Sequence, residues 1–503
     1  MVNYRKNGLL AAVSVIALSL PAIAQAATVK NVIMMVSDGA SWGTWDMASY
    51  WEFGAKGQQI YDNFDVKLGM TTQPLNTSST PTFDAAPKID YDWQKAWDTT
   101  PTGEGSFAGY DYIKQNSTDS AAASTALATG QKTYNNAIDY DNFGQPLRFI
   151  SQDFKDAGRS TGVVSSVPFS HATPAGFGAQ NASRNNYGEI ARQMVEEGTL
   201  DLIMGAGNPD YDDSGRLRAA PVYANETGTG GGFTPASVWE SLQGPDAAMT
   251  LLQERADFEA LANGSLTVDG RLIGVPKVGS TLQQGRSASV FGEDAANPSG
   301  VAYNADVPTL ATMTKGALNH LGKNENGFFV MVEGGAVDWA AHANDTARII
   351  EEQMDFNHSV RAAYEWVESY SNWEETMLLV LTDHGNSMPM GPDSDLIPFQ
   401  PIENRGAGVL PGVMWHWGGH TLENTLLWAH GAGSQLLLDH VVGHDRWLSA
   451  FLKHNIDGAY IDNTALHSAI LTASIAPIPL PAGGWLMLAG VGALAAMRRR
   501  KAA

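Results

Sequence analysis

The chain contains no cysteine among its 503 residues. Disulfide bonds therefore play no part in its stability, and a chain of this length can bury a core large enough to do without them. Basic residues are also scarce, with 31 Lys and Arg against 53 Asp and Glu and a formal net charge of −22. Nucleic-acid binding needs a basic surface, so this balance argues against a nucleic acid as a specific partner.

The N-terminal residues have the pattern of an export signal. Arg5 and Lys6 precede an apolar run from Leu9 to Leu20, and Ala24-Gln25-Ala26 has the small-x-small form of a cleavage site. We therefore predict that residues 1–26 are a signal peptide and that the protein is exported. A buried N-terminal helix is the alternative explanation of the apolar run.

The C-terminal residues, 475–503, are predicted to be a sorting or anchor segment. An apolar run from Gly483 to Met497 is followed by four basic residues, which fits the positive-inside rule and leaves an ordinary membrane anchor possible. The string IPLPAGGWLMLAGVGALAAMRRRK resembles the VPLPA-type variant of the PEP-CTERM sorting signals of Gram-negative bacteria. That resemblance implies a sorting protease and membrane machinery as partners, and delivery to the periplasm, the cell surface or the extracellular matrix.

Three apolar runs are typical of buried strands, because their hydrophobicity is continuous rather than alternating. They are Asn31–Val36 before Ser37-Asp38-Gly39, Phe328–Val332 before Glu333-Gly334-Gly335, and Met377–Leu381 before Thr382-Asp383-His384. Such strands indicate an α/β fold, a three-layer α/β/α sandwich around a central, mostly parallel sheet. Ligands bind beyond the carboxyl ends of the strands in these sheets, and the acidic groups recur there.

Helical spacing of apolar residues predicts helices over Gly188–Gly198, Thr309–Leu321 and Asp345–Tyr370. Residues 28–474 are expected to form one catalytic domain. Two stretches of this domain, 76–106 and 209–308, lack a regular pattern and are rich in turn-forming residues. We predict that both are insertions over the active face.

Several acidic and histidine side chains have the spacing of metal ligands. Asp338 and His342 are four residues apart, so on a helix they would share one face and could bind a metal such as zinc. A helical salt bridge would explain this pair equally well. The Asp383-His384 pair at a strand end is by itself weak evidence for a metal site. His420 lies in a glycine-rich turn, and a lone histidine is more often structural than a ligand.

Residues 117–130, with the sequence STDSAAASTALATG, consist mainly of small side chains. A helix here would pack closely on the sheet and would begin near Ser120, where free backbone N–H groups favour a phosphate. The alternative interpretation is a packing helix capped by Asp119. Arg184 could bind two phosphate oxygens, although alone it reads as a surface arginine.

Taken in order from Lys30 to Leu471, these fragments resemble the alkaline phosphatases of a large metal-dependent α/β superfamily. The matching segments are Asn31–Gly39, Asp119-Ser120-Ala121 with the downstream Ala126–Gly130, Thr173-Pro174, Arg184, the set Glu333, Asp338 and His342, Asp383-His384, and His420-Thr421. One departure is that Thr382 directly precedes Asp383, where the family has one residue between them. The Asp-His pair itself is intact.

The resemblance implies two zinc ions and one magnesium ion. Asp338, His342 and His420 would bind one zinc; Asp38, Asp383 and His384 would bind the second; and Asp38, Thr173 and Glu333 would bind magnesium. It further implies that Ser120 is the nucleophile of a phosphoserine mechanism, that Arg184 binds the phosphate, that the substrates are small phosphate monoesters, and that the protein is a homodimer.

Two further departures concern neighbours of the expected ligands. His171 stands two residues before Thr173, where some bacterial members have Asp, and Trp339 follows Asp338, where they have Lys. Every expected ligand is retained. Because neighbours of ligands tune metal affinity, these changes bear on how tightly magnesium is held.

The predicted function is therefore that of an exported, metal-dependent alkaline phosphatase. The nearest alternative is a phosphodiesterase of the same superfamily, although diesterases usually present Thr as the nucleophile and lack an arginine placed like Arg184. A sulfatase would need a Cys/Ser-x-Pro-x-Arg motif, which Asp119-Ser120-Ala121 does not provide. A non-catalytic surface or matrix protein would have no reason to keep the full ligand set. Because the acidic surface repels phosphate esters, we expect activity to tolerate or gain from moderate salt.

Overall fold

A computed structural model describes residues 29–84, 86–87, 89–452 and 456–475. The predicted signal peptide lies outside the described residues, as does all but the first residue of the predicted C-terminal sorting segment. Within the described ranges, the structure contains no helix that is both long enough and apolar enough to cross a membrane.

The strands, in chain order, are β1 Asn31–Ser37, β2 Val66–Thr71, β3 Pro101–Gly103, β4 Ser106–Phe107, β5 Ser160–Pro168, β6 Leu202–Ala206, β7 Thr250–Leu252, β8 Leu272–Gly274, β9 Phe328–Gly334, β10 Thr376–Leu381, β11 Gly385–Asn386, β12 Pro389–Met390, β13 Met414–Trp415, β14 His420–Thr421, β15 Thr425–Gly431, β16 Gly443–His444 and β17 Ala459–Asp462.

The α-helices are α1 Trp42–Phe53, α2 Trp93–Ala96, α3 Ala108–Ile113, α4 Ser120–Thr129, α5 Ile150–Asp156, α6 Ala172–Ala175, α7 Tyr187–Glu196, α8 Ala236–Leu242, α9 Arg255–Ala262, α10 Ala288–Phe291, α11 Leu310–Leu321, α12 Ala336–His342, α13 Thr346–Tyr370, α14 Arg446–Leu452 and α15 Ala465–Ser474. Two 3₁₀ helices span Ile60–Asn63 and Ser434–His440.

One eleven-stranded sheet organises the molecule, in the order β16-β17-β2-β15-β10-β1-β9-β5-β6-β8-β7. The seven strands from β10 to β7 in this order all run in one direction. β15 is antiparallel to both β10 and β2, and β16 is antiparallel to β17. The sheet is therefore mostly parallel, as predicted, and the three predicted apolar strands form its centre as β9, β1 and β10.

β1 contributes side chains to two hydrophobic cores, one on each face of the sheet. Ile33 and Met35 pack into a core shared with α1, α11 and α13. Val32 and Met34, on the opposite face, pack into a core shared with α4, α5, α7 and α15. Because successive side chains of a strand alternate in direction, a strand buried on both sides serves both cores. This confirms the three-layer α/β/α arrangement.

The predicted helices are confirmed with small shifts of their ends. The stretch predicted from Thr309 forms α11, with Thr309 as its N-cap, since its side chain accepts a hydrogen bond from the Thr312 N–H. The stretch predicted from Asp345 forms α13, where the Asp345 carboxylate caps two backbone N–H groups. The stretch predicted from Gly188 forms α7, which begins one residue earlier at Tyr187.

The prediction for 209–308 needs correction in part. This stretch contains β7 and β8, which extend the main sheet at one edge beside β6, together with α8 and α9. Its strands are short, three residues each, which is why their pattern was not recognisable. Another part of the stretch contacts α7, since Phe233 packs edge-on against Tyr187.

The stretch 76–106 contacts α1 and Asn136. Trp97 stacks on Trp42 of α1 with ring centroids 4.7 Å apart. At the other end, Asn136 donates its side-chain amide to the Ser79 carbonyl and its backbone N–H to Asp119 Oδ2. The stretch therefore supports the loop that carries Asp119.

Candidate active site and metal centre

Three fully buried carboxylates lie at the carboxyl edge of the three central strands. Asp38 follows β1 directly, Glu333 is the next-to-last residue of β9, and Asp383 lies two residues beyond β10. Parallel register brings these positions together, since Val36 pairs with Glu333 on one side and with Leu381 on the other. The sheet topology thus places on one edge three acids that are distant in sequence.

The first group of candidate metal ligands is Asp38, Asp383 and His384, all completely buried. His384 Nε2 lies 3.4 Å from Asp38 Oδ1 and 3.2 Å from Asp383 Oδ2. The other oxygen of Asp383 accepts backbone N–H bonds from Gly39 and His384, which fixes the orientation of the carboxylate. Two oxygens and one nitrogen therefore face a common point.

The second group is Asp338, His384 and His420. His420 Nε2 lies 3.4 Å from Asp338 Oδ1, and the His384 and His420 rings stack with centroids 3.7 Å apart. His342 belongs to the same cluster, because its Nε2 lies 3.4 Å from Asp338 Oδ2 and 3.1 Å from His420 Nε2. α12 places Asp338 and His342 on one face, as predicted, and His384 is common to both groups.

The ring orientation of two of these histidines is fixed by backbone carbonyls. His420 Nδ1 lies 2.8 Å from the Thr118 carbonyl, and His342 Nδ1 lies 3.0 Å from the Gly418 carbonyl. In each ring the Nδ1–H can donate to the carbonyl, which leaves Nε2 as the free lone pair facing the cluster. This is the arrangement that metal-binding histidines commonly have.

The third expected set, Asp38, Thr173 and Glu333, is also brought together. Thr173, in α6, has its hydroxyl 3.4 Å from Asp38 Oδ2. Glu333 Oε2 accepts a short hydrogen bond from the Ser165 hydroxyl of β5. All of these side chains are 0% exposed, and hydroxyl and carboxylate oxygens are the ligands that magnesium prefers.

Three carboxylate oxygens in these sets have no hydrogen-bond partner within the described part of the chain: Asp38 Oδ1, Asp383 Oδ2 and Glu333 Oε1. Leaving buried charged oxygens without partners is costly. Asp38 Oδ1 and Asp383 Oδ2 both face His384 Nε2, and bound cations would supply the interactions that the three oxygens lack. The residues present therefore fit the metal ions implied by the sequence.

The pKa values of these acids also indicate that the site lacks compensating positive charge. Burial, together with Asp383, Asp338 and Glu333, raises the pKa of Asp38 well above its ordinary value. Burial raises the pKa of Asp383 to about 6 and that of Glu333 to about 7. Burial opposes ionisation of Asp338 as well, but His420 and His342 together hold the pKa of that carboxyl below its ordinary range. Without cations, the edge of the sheet carries more negative charge than it can stabilise.

Ser120 is the first residue of α4, at the position predicted from the sequence. Asp119 caps the helix by accepting the Ala122 N–H at 2.9 Å. The Ser120 hydroxyl is 3.3 Å from His384 Nε2. The small residues of α4 allow it to approach α6 closely. Gly176 directly follows α6, and a Cβ added to it would lie 2.5 Å from the hydroxyl of Ser124 in α4.

Arg184 is positioned by Asp119. One guanidinium nitrogen lies 3.1 Å from Asp119 Oδ2, and the backbone N–H of Arg184 donates to the Asn136 carbonyl. Asp119 thus serves both the helix that begins with Ser120 and the arginine. Ser120 and Arg184 both line the cavity at this edge.

The cavity at this edge has a volume of about 400 Å³. It is lined by Ser120, His171, Arg184, Asp338, Trp339, His342 and His420. Trp339 packs edge-on against the His171 ring at 5.7 Å, so the two residues that depart from some family members contact each other. Burial and the nearby Arg184 lower the pKa of His171 to about 3, which keeps this ring neutral.

Three supporting residues were not identified from the sequence. Asn386 donates to Asp338 Oδ1 at 2.7 Å, Ser165 holds Glu333, and Glu423 accepts the Ser41 and Thr421 hydroxyls. Asn386 follows the Asp383-His384 pair by two residues, so its proximity was a usable signal. Glu423 likewise follows His420 by three residues, whereas Ser165 reaches the site only through the tertiary fold.

Comparisons with known proteins agree with this geometry. The sequence profile of the alkaline phosphatase family matches residues 29–231 and 245–397. The chain belongs to the alkaline phosphatase family.

Curated relatives include alkaline phosphatase 4 of Bacillus subtilis, 32% identical over 274 residues, which are 54% of this chain and 49% of the relative. The alkaline phosphatase of Escherichia coli K12 is 32% identical over 303 residues, 56% of this chain and 60% of the relative. The match to streptomycin-6-phosphate phosphatase of Streptomyces griseus is longer, with 24% identity over 77% of this chain and 82% of the relative. The chain matches about half the length of the first of these relatives.

Solved structures share the fold. The alkaline phosphatase of the Antarctic bacterium TAB5 superposes with a TM-score of 0.56 at 22% identity, covering 89% of this chain and 98% of the other. The cold-active alkaline phosphatase of Shewanella sp. gives a TM-score of 0.60 at 20% identity, covering 89% of this chain and all of the other.

Proposed function

We propose that this chain is an exported, metal-dependent phosphatase that hydrolyses small phosphate monoesters through a phosphoserine at Ser120. The observation that carries the proposal is the 3.3 Å distance between the Ser120 hydroxyl and Nε2 of His384, the residue that the two groups of candidate ligands share. Curated relatives with phosphatase names and the family membership support the same reaction class.

Two zinc ions and one magnesium ion fit the donor sets. Asp338, His342 and His420 would hold one zinc, with His384 close by; Asp38, Asp383 and His384 would hold the second; and Asp38, Thr173 and Glu333 would hold magnesium. When bound, these cations supply positive charge that activates a nucleophile and stabilises a leaving oxygen. The three unpartnered carboxylate oxygens support this assignment.

The residues of the chain itself perform the remaining tasks. Ser120, at the start of α4, attacks phosphorus as the bond to the substrate alcohol breaks, which gives a phosphoserine and the free alcohol. Water then cleaves the phosphoserine, releases inorganic phosphate and restores the hydroxyl. Arg184, held by Asp119, binds two non-bridging oxygens of the phosphoryl group, and the N-terminus of α4 adds its dipole.

In this proposal, positive charge at the active site, rather than on the protein surface, attracts the substrate. The chain as a whole carries a net charge of −22, so its surface repels phosphate esters. The cations together with Arg184 would provide the positive charge that draws the substrate into the cavity. Release to the periplasm, the cell surface or the matrix, and assembly as a homodimer, remain predictions from the sequence.

The experiment compares two substrates on purified protein. We expect rapid turnover of p-nitrophenyl phosphate and far slower turnover of bis-p-nitrophenyl phosphate, with both lost after chelation and restored by zinc and magnesium. A preference for the diester would favour the phosphodiesterase alternative. Absence of both activities in metal-replete protein would favour a non-catalytic surface protein.

A further inference from the structure

A second cavity, of about 390 Å³, lies away from the site, between α1, α13 and the stretch 283–309. Its walls include the aromatic rings of Trp51 and Tyr303 and the apolar side chains of Met354 and Val307. Its size is in the range of small-molecule sites, which combine apolar walls with a few polar groups. None of its lining residues belongs to the candidate ligand sets.

Two adjacent glutamates of α13 at this cavity differ in their environment. Glu351 is fully paired: its Oε2 contacts Arg286 at 2.8 Å and Arg348 at 3.2 Å, and its Oε1 accepts the Ser299 N–H. Glu352 lines the cavity and is 4% exposed, yet its Oε1 has no hydrogen-bond partner among the described residues. A buried carboxylate oxygen without a donor is costly, so a donor from a ligand would stabilise it.

Among the residues that the structure describes, the cations near Glu352 are engaged by other acids. Arg286 and Arg348 are engaged by Glu351, Arg255 contacts Glu259 at 2.7 Å, and His358 contacts Glu52 at 3.1 Å. Asp355, one turn further along α13, uses one oxygen to cap the Leu310 N–H. Glu352 Oε1 is thus an acceptor without a donor, while Asn304, which also lines the cavity, has an unpartnered donor at Nδ2.

We propose that this cavity binds a small organic cation, an ammonium group on an apolar body, with the ammonium at Glu352. The ammonium would donate to the Glu352 carboxylate, and Trp51, which also lines the cavity, offers an aromatic ring that favours a cation. The Tyr303 ring is already covered by the Arg286 guanidinium, 4.4 Å from its centroid. A divalent metal fits less well. Within the described ranges, the groups of three close ligand atoms are those of the active site, and Glu352 belongs to neither.

Binding should also release a proton. Burial, with Asp355 and Glu351, raises the pKa of Glu352 to about 8, against the smaller opposing effect of Arg286 and Arg348. Glu352 is then mostly protonated at pH 7 in the free protein, and an ammonium ion would displace that proton. We expect about one proton released per ligand bound at pH 7.

The test is titration calorimetry of the full metal-loaded protein with butylammonium chloride at pH 7. It uses two buffers of different ionisation enthalpy that contain neither phosphate nor primary amines. We expect one saturable site per chain, release of about one proton, and no binding of 1-butanol, which lacks the charge. Glu352→Gln should weaken binding at least tenfold while turnover of p-nitrophenyl phosphate stays at the level of the unmodified protein, which shows that the variant folds.

The matched control is Glu365→Gln, an exposed glutamate on the same helix outside the cavity, which should bind as the unmodified protein does. Equal affinity of the Glu352→Gln variant and the unmodified protein would overturn the proposal, as would the lack of a saturable site for the amine. Binding of calcium chloride that depends on Glu352, without binding of the amine, would overturn it in favour of a metal site.

Discussion

The Ser120 hydroxyl and His384 Nε2 lie 3.3 Å apart, although 264 positions separate the two residues. The contact joins the start of α4 to the segment that follows the central strand β10. His384 is also shared by the two candidate ligand groups, one with Asp38 and Asp383 and one with Asp338 and His420. The serine hydroxyl therefore lies beside the residue that the two groups share. We expect turnover to fall more when His384 is replaced than when any other candidate ligand is replaced.

The first prediction compares two histidines. Replacing His384 with Ala should lower turnover by more than about 100-fold, because even residues that merely support metal ligands cost 10–100-fold when removed. The variant should also contain less metal, because the set of Asp38, Asp383 and His384 loses its nitrogen ligand. His342→Ala should lose metal at one position, since His342 contacts Asp338 and His420 alone among the candidate ligands. Metal content per chain, measured by mass spectrometry after dialysis, checks the loss in each variant, and His384→Ala should lower turnover more than His342→Ala because His384 lies beside Ser120. Unchanged metal content and turnover in His384→Ala would contradict its role as a ligand.

The second prediction concerns Arg184. Arg184→Ala should reduce kcat/KM by about 100-fold or more, since a bidentate charged contact to the phosphoryl group is lost. Arg184→Lys should recover only part of this, because an ammonium group cannot bind two oxygens in the same way. The control is Arg192→Ala in α7, where the arginine pairs with Glu189 and Glu196 on the surface. Unchanged kinetics in Arg184→Ala would remove this residue from the site.

The third prediction uses a buried acid outside the site. Asp139 is 0% exposed, and within the described structure neither of its carboxylate oxygens has a hydrogen-bond partner. Burial raises the pKa of Asp139 well above its ordinary value. The native state therefore holds this proton more tightly than the unfolded state, so the acid costs stability as pH rises above about 4, the unfolded pKa.

Asp139→Asn removes that cost. The residue has φ of 49°, a conformation that asparagine adopts readily. We expect the melting temperature of the variant to match that of the unmodified protein near pH 4 and to exceed it by about 1 °C or more at pH 8. Asp269→Asn, at an exposed position, should show no such difference at either pH. A stability gain for Asp139→Asn that is equal at both pH values would contradict the assignment.

The fourth prediction concerns salt. With a net charge of −22, the surface repels phosphate esters over long distances, and salt screens this repulsion at a Debye length of about 10 Å at 0.1 M. We expect kcat/KM for p-nitrophenyl phosphate to be maintained or to rise between low salt and about 0.2 M sodium chloride. A steep fall over this range would show that attraction at long range, rather than at the site, controls association.

The central sheet and its ligand edge could be predicted because each signal was local. Continuous apolar runs marked β1, β9 and β10, and the polar residues that follow them were visible in the sequence. Asp338 and His342 were placed on one face of α12 by helical spacing alone. Ser120 and Arg184 could be assigned a role only from the order of all the motifs along the chain, since a serine beside alanines is by itself weak evidence for a nucleophile.

Other features could not be predicted, because they depend on distant segments. β7 and β8 are too short to show a pattern, so the stretch 209–308 read as an insertion although part of it extends the sheet. Ser165 supports Glu333 because β5 lies next to β9, a neighbour relationship that the sequence does not state. The pairing of Glu351 and the isolation of Glu352 likewise follow from the path of the stretch 283–303.

The most direct test of the account is to trap the phosphoserine. Protein incubated with p-nitrophenyl phosphate and quenched in acid should yield a proteolytic peptide containing Ser120 that carries one phosphoryl group by mass spectrometry. The Ser120→Ala variant should yield no phosphopeptide and no turnover above background, while retaining its metal. Phosphate on another residue, or full turnover by Ser120→Ala, would contradict the proposed role of Ser120.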